Sequence, residues 1–354
     1  MALKPWRRRV LVTGALLLGL GVAAWTIPWT RCRIKAFGVV ADIAGLPFPR
    51  PWARSVTVEE IQVAAGVTGD MYEGGEDAPV ILFVPGATRS GRDDTRVIEA
   101  ATALAEAGRR VFVPELTLYQ RVFDESDVER LVAAIQALAR DERVGVVGFS
   151  YGGSFALIAA SDDAVAGDVE YVATFGAYYD LTHVIQGVTT GSTALDGDLV
   201  TFETVPEARR ILLRAAGRLV ASAHADELER ALEADDPSGL APDAARVYEL
   251  LENTDPRRRD ELVARLPETV RETLRAFSPS SHVEGLDVPV WIMQAKKDAA
   301  TPWTEAVLLE RSVPRARLVT LDHFSHVDPP GIGGWLSDGP QAWRFVAWIL
   351  DAQE

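Results

Sequence analysis

Short apolar runs, each closed by a turn residue, recur along the chain from about residue 56 onward. Residues 56–63 and 66–72 read as a strand and its hairpin partner. Pro79-Val80-Ile81-Leu82-Phe83-Val84 is a compact run ended by Pro85-Gly86-Ala87. Further runs occupy 110–114, 143–147, 169–175, 288–293 and 316–321. Continuous apolar runs of this length suit strands buried on both faces. Between them the apolar period lengthens to that of a helix. Residues 94–107 read as a helix followed by Gly108, a residue type favoured just past helix ends. Ser126 and Glu129 have capping-box spacing, and Val128, Leu131, Val132, Ile135 and Leu138 follow at helical intervals. This alternation predicts an α/β fold with a mostly parallel central sheet and helices on both faces.

Two stretches break the pattern. From about 181 to 279 the strand signal stops, and residues 206–233, 242–252 and 256–277 read as charged amphipathic helices. They predict an all-helical cap inserted within a domain that spans 56–354. The other stretch is the N-terminus. Residues 1–9 form a basic tail with Lys4, Arg7, Arg8 and Arg9, and an apolar segment covers 10–28. As a helix, its run from Val10 to Ile27 would span roughly 27 Å, close to the ~30 Å hydrocarbon core of a bilayer. Trp6 on one side and Trp25 and Trp29 on the other suit the two interfaces. The basic flank predicts a single-pass anchor with the following domain outside the cytoplasm. The alternative is a signal peptide cleaved after small residues such as Val22 and Ala24, leaving a secreted protein. Residues 29–55, with Pro47, Pro49 and Pro51, read as an extended linker.

Composition narrows the partners. The formal net charge of -15 and pI near 4.9 argue against nucleic acid, which requires basic patches. A single cysteine, Cys32, excludes an internal disulfide. No H-E-x-x-H, C-x-x-C pair or phosphate-cradling glycine loop is present, so neither metal nor organic cofactor is implied.

The candidate chemistry centres on Gly148-Phe149-Ser150-Tyr151-Gly152, between a predicted strand and the helical stretch Gly153–Ala160. A G-x-S-x-G string arises by chance in roughly one in ten chains of this length. Its setting carries the weight. A serine on a sharp strand-to-helix turn is a nucleophile elbow, and the turn demands small residues two positions to either side. Such a site also needs an oxyanion pocket, an acid and a histidine in the order Ser, Asp/Glu, His. Pro85-Gly86-Ala87, Asp298 and His326 supply these, each just past the C-terminal end of a predicted strand, where α/β sheets form their crevices.

These segments resemble the α/β-hydrolase family, from about Val56 to the C-terminus. The matching motifs are the P-G-A turn, the G-F-S-Y-G elbow, the D-x-x-T-P segment at Asp298 and the terminal S-H-V-D at His326. The turn reads Pro85-Gly86 where many members carry His-Gly, and the acid loop reads Gln-Ala-Lys-Lys-Asp where many carry His-Gly. The resemblance implies a serine hydrolase with a helical lid, acting on a small-molecule or lipid ester without a cofactor. Ser150 would be the nucleophile, His326 the base, Asp298 the acid, and the backbone N–H groups of Tyr151 and Ala87 the oxyanion donors. His323 is the rival base and Asp180 the rival acid. Thioesterase or peptidase chemistry on the same scaffold, or a binding protein with a relic triad, are the alternatives.

Overall fold

The computed structural model describes residues 26–120, 123–140, 142–217, 219–220, 222–326 and 331–352. Ten strands are present among them: β1 (Thr57–Ala64), β2 (Val67–Glu73), β3 (Val80–Val84), β4 (Arg110–Pro114), β5 (Val144–Phe149), β6 (Val169–Phe175), β7 (Ser192–Leu195), β8 (Asp198–Thr201), β9 (Val290–Ala295) and β10 (Ala316–Leu321). Eight form one sheet in the order β1-β2-β4-β3-β5-β6-β9-β10. β1 pairs antiparallel with β2, and β2 with β4; every pairing from β4 to β10 is parallel.

The inner strands are buried on both sides, as their unbroken apolar runs require. In β3, Leu82 and Val84 face one layer while Ile81 and Phe83 face the other. The first layer contains the helix Tyr151–Ala160 and the second contains Thr95–Glu106 and Ile332–Asp351. The connections leaving β3 and β5 therefore go to opposite faces. Adjacent strands that part company in this way open a crevice at their C-terminal ends.

The stretch expected to be a linker is largely a helix, Pro28–Ile43. Pro28 does not end an element; it occupies the first helical turn, where its missing N–H costs nothing. Cys32, Ala36, Val39 and Val40 fall on one face at helical spacing and are buried in the second layer. Polar contacts with Ile332–Asp351 fix the docking. Trp343 Nε1 donates to the Arg33 carbonyl at 2.8 Å, and Arg33 pairs with Asp351 at 3.3 Å. The proposed membrane span at 10–28 lies outside the described residues except for its last three positions. Among the described residues no helix is long and apolar enough to cross a membrane.

The insert between β6 and β9 is not all-helical. It opens with the helix Leu181–Thr190 and then forms a β7–β8 hairpin whose turn is Asp196-Gly197, both at positive φ. Asp-Gly between two short strands is a strong hairpin signal, and the sequence carries it here. The expected helix at 206–233 is two, Pro206–Ala216 and Ser222–Ala234, and that at 256–277 is broken into Arg259–Arg265 and Glu268–Ala276. The helix after residue 124 is capped by Asp124, whose carboxylate accepts from Ser126 N at 3.0 Å, in place of the expected Ser126 box.

Candidate active site

Ser150 stands between β5 and the helix Tyr151–Ala160 with φ 53° and ψ -133°. This backbone conformation is strained for any residue with a side chain, and it turns the hydroxyl out of the sheet. The flanking glycines are required by contact. A Cβ on Gly148 would lie 2.5 Å from Gly153 Cα, and one on Gly152 would lie 2.0 Å from the Pro85 carbonyl oxygen. The elbow is thus pressed against both its own helix and the β3 loop.

His326 and Asp298 converge on this hydroxyl. His326 Nε2 lies 2.9 Å from Ser150 Oγ, and His326 Nδ1 lies 2.8 Å from Asp298 Oδ2. The carboxylate accepts, so Nδ1 carries the proton and Nε2 is left to accept from the serine. Asp298 is almost wholly buried. Its Oδ1 accepts from the backbone N–H groups of Ala300 and Thr301, both at 2.8 Å, and its Oδ2 accepts from Gln294 Nε2 at 2.9 Å. These bonds hold the carboxylate in one orientation and leave Oδ2 facing the imidazole. Sequence reasoning missed Gln294. The available signal was a polar residue inside the apolar run of β9.

The rival residues lie elsewhere. His323 Nδ1 faces Asp338 Oδ1 at 3.4 Å, on the C-terminal helix. Asp180 caps the helix Leu181–Thr190 through Thr182 N and accepts from Ser280 Oγ at 2.9 Å. Burial opposes its charge, but the neighbouring His183 and these hydrogen bonds outweigh it and hold its pKa below the ordinary carboxylate value. Lys296 pairs with Asp322 at 2.8 Å on the surface and so is committed away from Asp298. His224 lies beside Glu227, and His282 beside the Ala276 carbonyl.

Tyr151 begins the elbow helix, whose first N–H groups have no intrahelical acceptor. Ala87 follows the β3 turn, and both residues line the same cavity as Ser150 and His326. The Tyr151 side chain points away into the core, packing on Phe123 and Tyr178 at centroid distances of 5.1 and 5.3 Å. Burial first, and then the Asp298 charge, push its phenol pKa well up. Phe149, on the other side of the serine, packs against Phe83 and Phe175 and borders the cavity. Val205, Ala208 and Ile211 of the insert also border it.

A search of curated proteins finds no match. Among solved structures, a 2-hydroxy-6-oxo-6-phenylhexa-2,4-dienoate hydrolase from Rhodococcus sp. is 16% identical, with 82% of this chain and 98% of that one covered, at a TM-score of 0.47. An α/β-hydrolase superfamily protein from Enterococcus faecalis is 14% identical, covering 84% and 98%, also at 0.47. An esterase from Rhodococcus sp. is 17% identical, covering 84% and 99%, at 0.45. The family model described as "Alpha/beta hydrolase family" matches residues 81–332, a span running from β3 through the elbow to the loop of His326. With that span exceeding half its length, the chain belongs to the α/β-hydrolase family.

Proposed function

We propose that this hydrolase cleaves carboxylic esters through an acyl-enzyme formed on Ser150. The observation that carries the reading is the unbroken hydrogen-bond chain from Ser150 Oγ through His326 to Asp298. A serine hydroxyl is a weak nucleophile until a base takes its proton. His326 Nε2 receives that proton as Oγ attacks the ester carbonyl, and Asp298 stabilises the resulting imidazolium. The N–H groups of Tyr151 and Ala87 receive the developing oxyanion, each worth ~3–4 kcal/mol at the barrier. His326 then returns its proton to the leaving alkoxide, and the alcohol departs. Water, activated by the same imidazole, releases the acid. The insert 181–279 acts as a lid, a role supported by the cavity-bordering Val205, Ala208 and Ile211.

We further infer that residues 10–28 anchor the protein in a membrane, with the hydrolase domain outside the cytoplasm. The support is the length of the apolar segment, its basic flank and its bracketing tryptophans. Fractionation of the full chain and of a chain lacking residues 1–25 tests it: both forms remaining in the soluble fraction would refute the anchor.

The test of the chemistry is labelling by a fluorophosphonate probe. The native protein should label and Ser150→Ala should not, with kcat toward a simple ester lowered by roughly 10⁶. Undiminished ester turnover in Ser150→Ala would overturn the mechanism.

A further inference from the structure

The cavity that opens at Ser150 does not stop at the reacting groups. Its volume is about 540 Å³, inside the ~300–1,000 Å³ range of small-molecule sites. Its floor is the sheet face opposite the elbow helix: Phe83, Val147, Phe149, Phe175 and Met293. Three helices wall it. Thr95–Glu106 contributes Ala100 and Leu104, Ile332–Asp351 contributes Ala342 and Phe345, and Pro28–Ile43 contributes Val39 and Val40. Polar lining is confined to the Ser150 end. Thr88 and Asp94 follow β3, Ser325 follows β10, and Arg96 and Glu99 occupy the first turns of their helix. Farther from Ser150, the lining is hydrocarbon.

The cavity is also long. Trp335 and Ile349 both line it and stand about four turns apart on one helix, roughly 20 Å. A peptide advances ~3.6 Å over three backbone bonds, or ~1.2 Å per bond. An extended alkyl chain of about sixteen bonds therefore fits that length. A compact aromatic acyl group would leave the far half empty.

We propose that the substrates are esters of long-chain fatty acids. The acyl chain lies in this channel, and the helix Pro28–Ile43 forms part of its wall. The proposal rests on the hydrolase reading above and adds the substrate class. With the ester carbonyl at Ser150, the chain extends between sheet and helices toward Leu104 and Ile349, while the alcohol portion remains on the lid side near Val205 and Ala208. The small side chains of Ala100 and Ala342 keep the passage open. The chain outside the matched family span, residues 28–43, thus helps set acyl specificity.

The test uses the full chain with p-nitrophenyl butyrate, octanoate, dodecanoate and palmitate. kcat/KM should climb with length, by up to about fourfold per methylene that enters the channel. Ala100→Phe and Ala342→Phe each narrow the passage, and each should lower the dodecanoate-to-butyrate ratio at least tenfold. A separate readout needs no turnover: dansyl-undecanoic acid should bind Ser150→Ala saturably, and Ala100→Phe in that background should weaken it. A flat length profile, or a profile and probe affinity that neither phenylalanine changes, would overturn the channel. Probe binding in a protein that never labels with fluorophosphonate would uphold the channel and remove the hydrolase reading instead. Labelling without probe binding, together with a flat profile, would do the reverse.

Discussion

The ring of His323 is tied to Asp338, whereas His326, three residues later, is the histidine that meets Ser150. Asp338 accepts from His323 N at 2.7 Å and Asp322 N at 3.0 Å, and its Oδ1 faces the His323 ring. Burial opposes the charge on Asp338, but these backbone donors and His323 outweigh it and hold its pKa below the ordinary value. The pair pins the loop after β10 to the C-terminal helix and so helps set where His326 stands. His326 itself has φ 57°, a left-handed conformation that aims its ring back toward Ser150. His323→Ala should therefore retain ester turnover to within about tenfold. His326→Ala should lower kcat by roughly 10⁶. Steady-state kinetics of the two variants on one short ester checks this, and a larger loss at His323 would reverse the assignment.

Strain at Ser150 leads to an opposite-signed pair of effects. A residue held at φ 53° and ψ -133° costs on the order of 1–3 kcal/mol, and glycine escapes much of it. Ser150→Gly should abolish turnover yet raise thermal stability, by roughly 1–2 °C in Tm per kcal/mol relieved for a domain of this size. Ser150→Ala loses the same hydroxyl without relieving the backbone. Differential scanning calorimetry should rank glycine above alanine. An equal Tm for both would mean that the elbow stores no strain.

The contrast between what sequence conveys and what it hides is visible at these residues. β3 and β5 were legible because burial on both faces writes them as runs without a polar side chain, and β6 and β9 remain mostly apolar for the same reason; β10, a half-buried edge strand, kept enough apolar residues to be read as well. The elbow was legible because its glycines answer a local steric demand. Ser150, Asp298 and His326 follow from where the strands end. The helix Pro28–Ile43 was not legible as a packed element. Its buried stripe is small or weakly apolar, Cys32 and Ala36 among them, and its partner helix lies some three hundred residues later in the chain. Gln294 escaped for a related reason. Its value comes from a carboxylate that only the folded loop brings to it.

Gln294 is a positioning residue, and its removal should show as such. Its side chain is wholly buried and donates to Asp298 Oδ2, the same oxygen that faces His326. Gln294→Leu keeps the volume and removes the donor. The carboxylate retains the Ala300 and Thr301 bonds, so the loss should be partial: kcat down by about 10-fold to 100-fold with KM little changed. Asp298→Asn, which removes the charge and favours the wrong imidazole tautomer, should cost about 10⁴. A Gln294→Leu variant that altered KM alone would place the residue in substrate binding.

The root of the insert is held by a buried cluster whose charge state depends on pH. Glu305, fully buried at the start of the helix Trp303–Ser312, accepts from Tyr179 N and Asp180 N at 3.1 and 2.8 Å and faces His183 Nδ1 at 3.1 Å. Burial opposes charge on His183, as does the nearby Arg259. The hydrogen bond and charge of Glu305, with the charge of Asp180, outweigh them and raise the His183 pKa above its ordinary value. A raised histidine pKa gives stability that is fully present below the unfolded value of ~6.5 and is lost as pH climbs through the folded value. His183→Gln should therefore lower Tm more at about pH 5.5 than at about pH 9. Glu305→Ala strands His183 and two backbone N–H groups. It should be costly at both, on the order of 3–5 kcal/mol where the histidine is charged. Thermal unfolding of the three proteins across that range decides the matter. A His183→Gln deficit that stayed constant with pH would show that the imidazole remains neutral and packs merely as a ring.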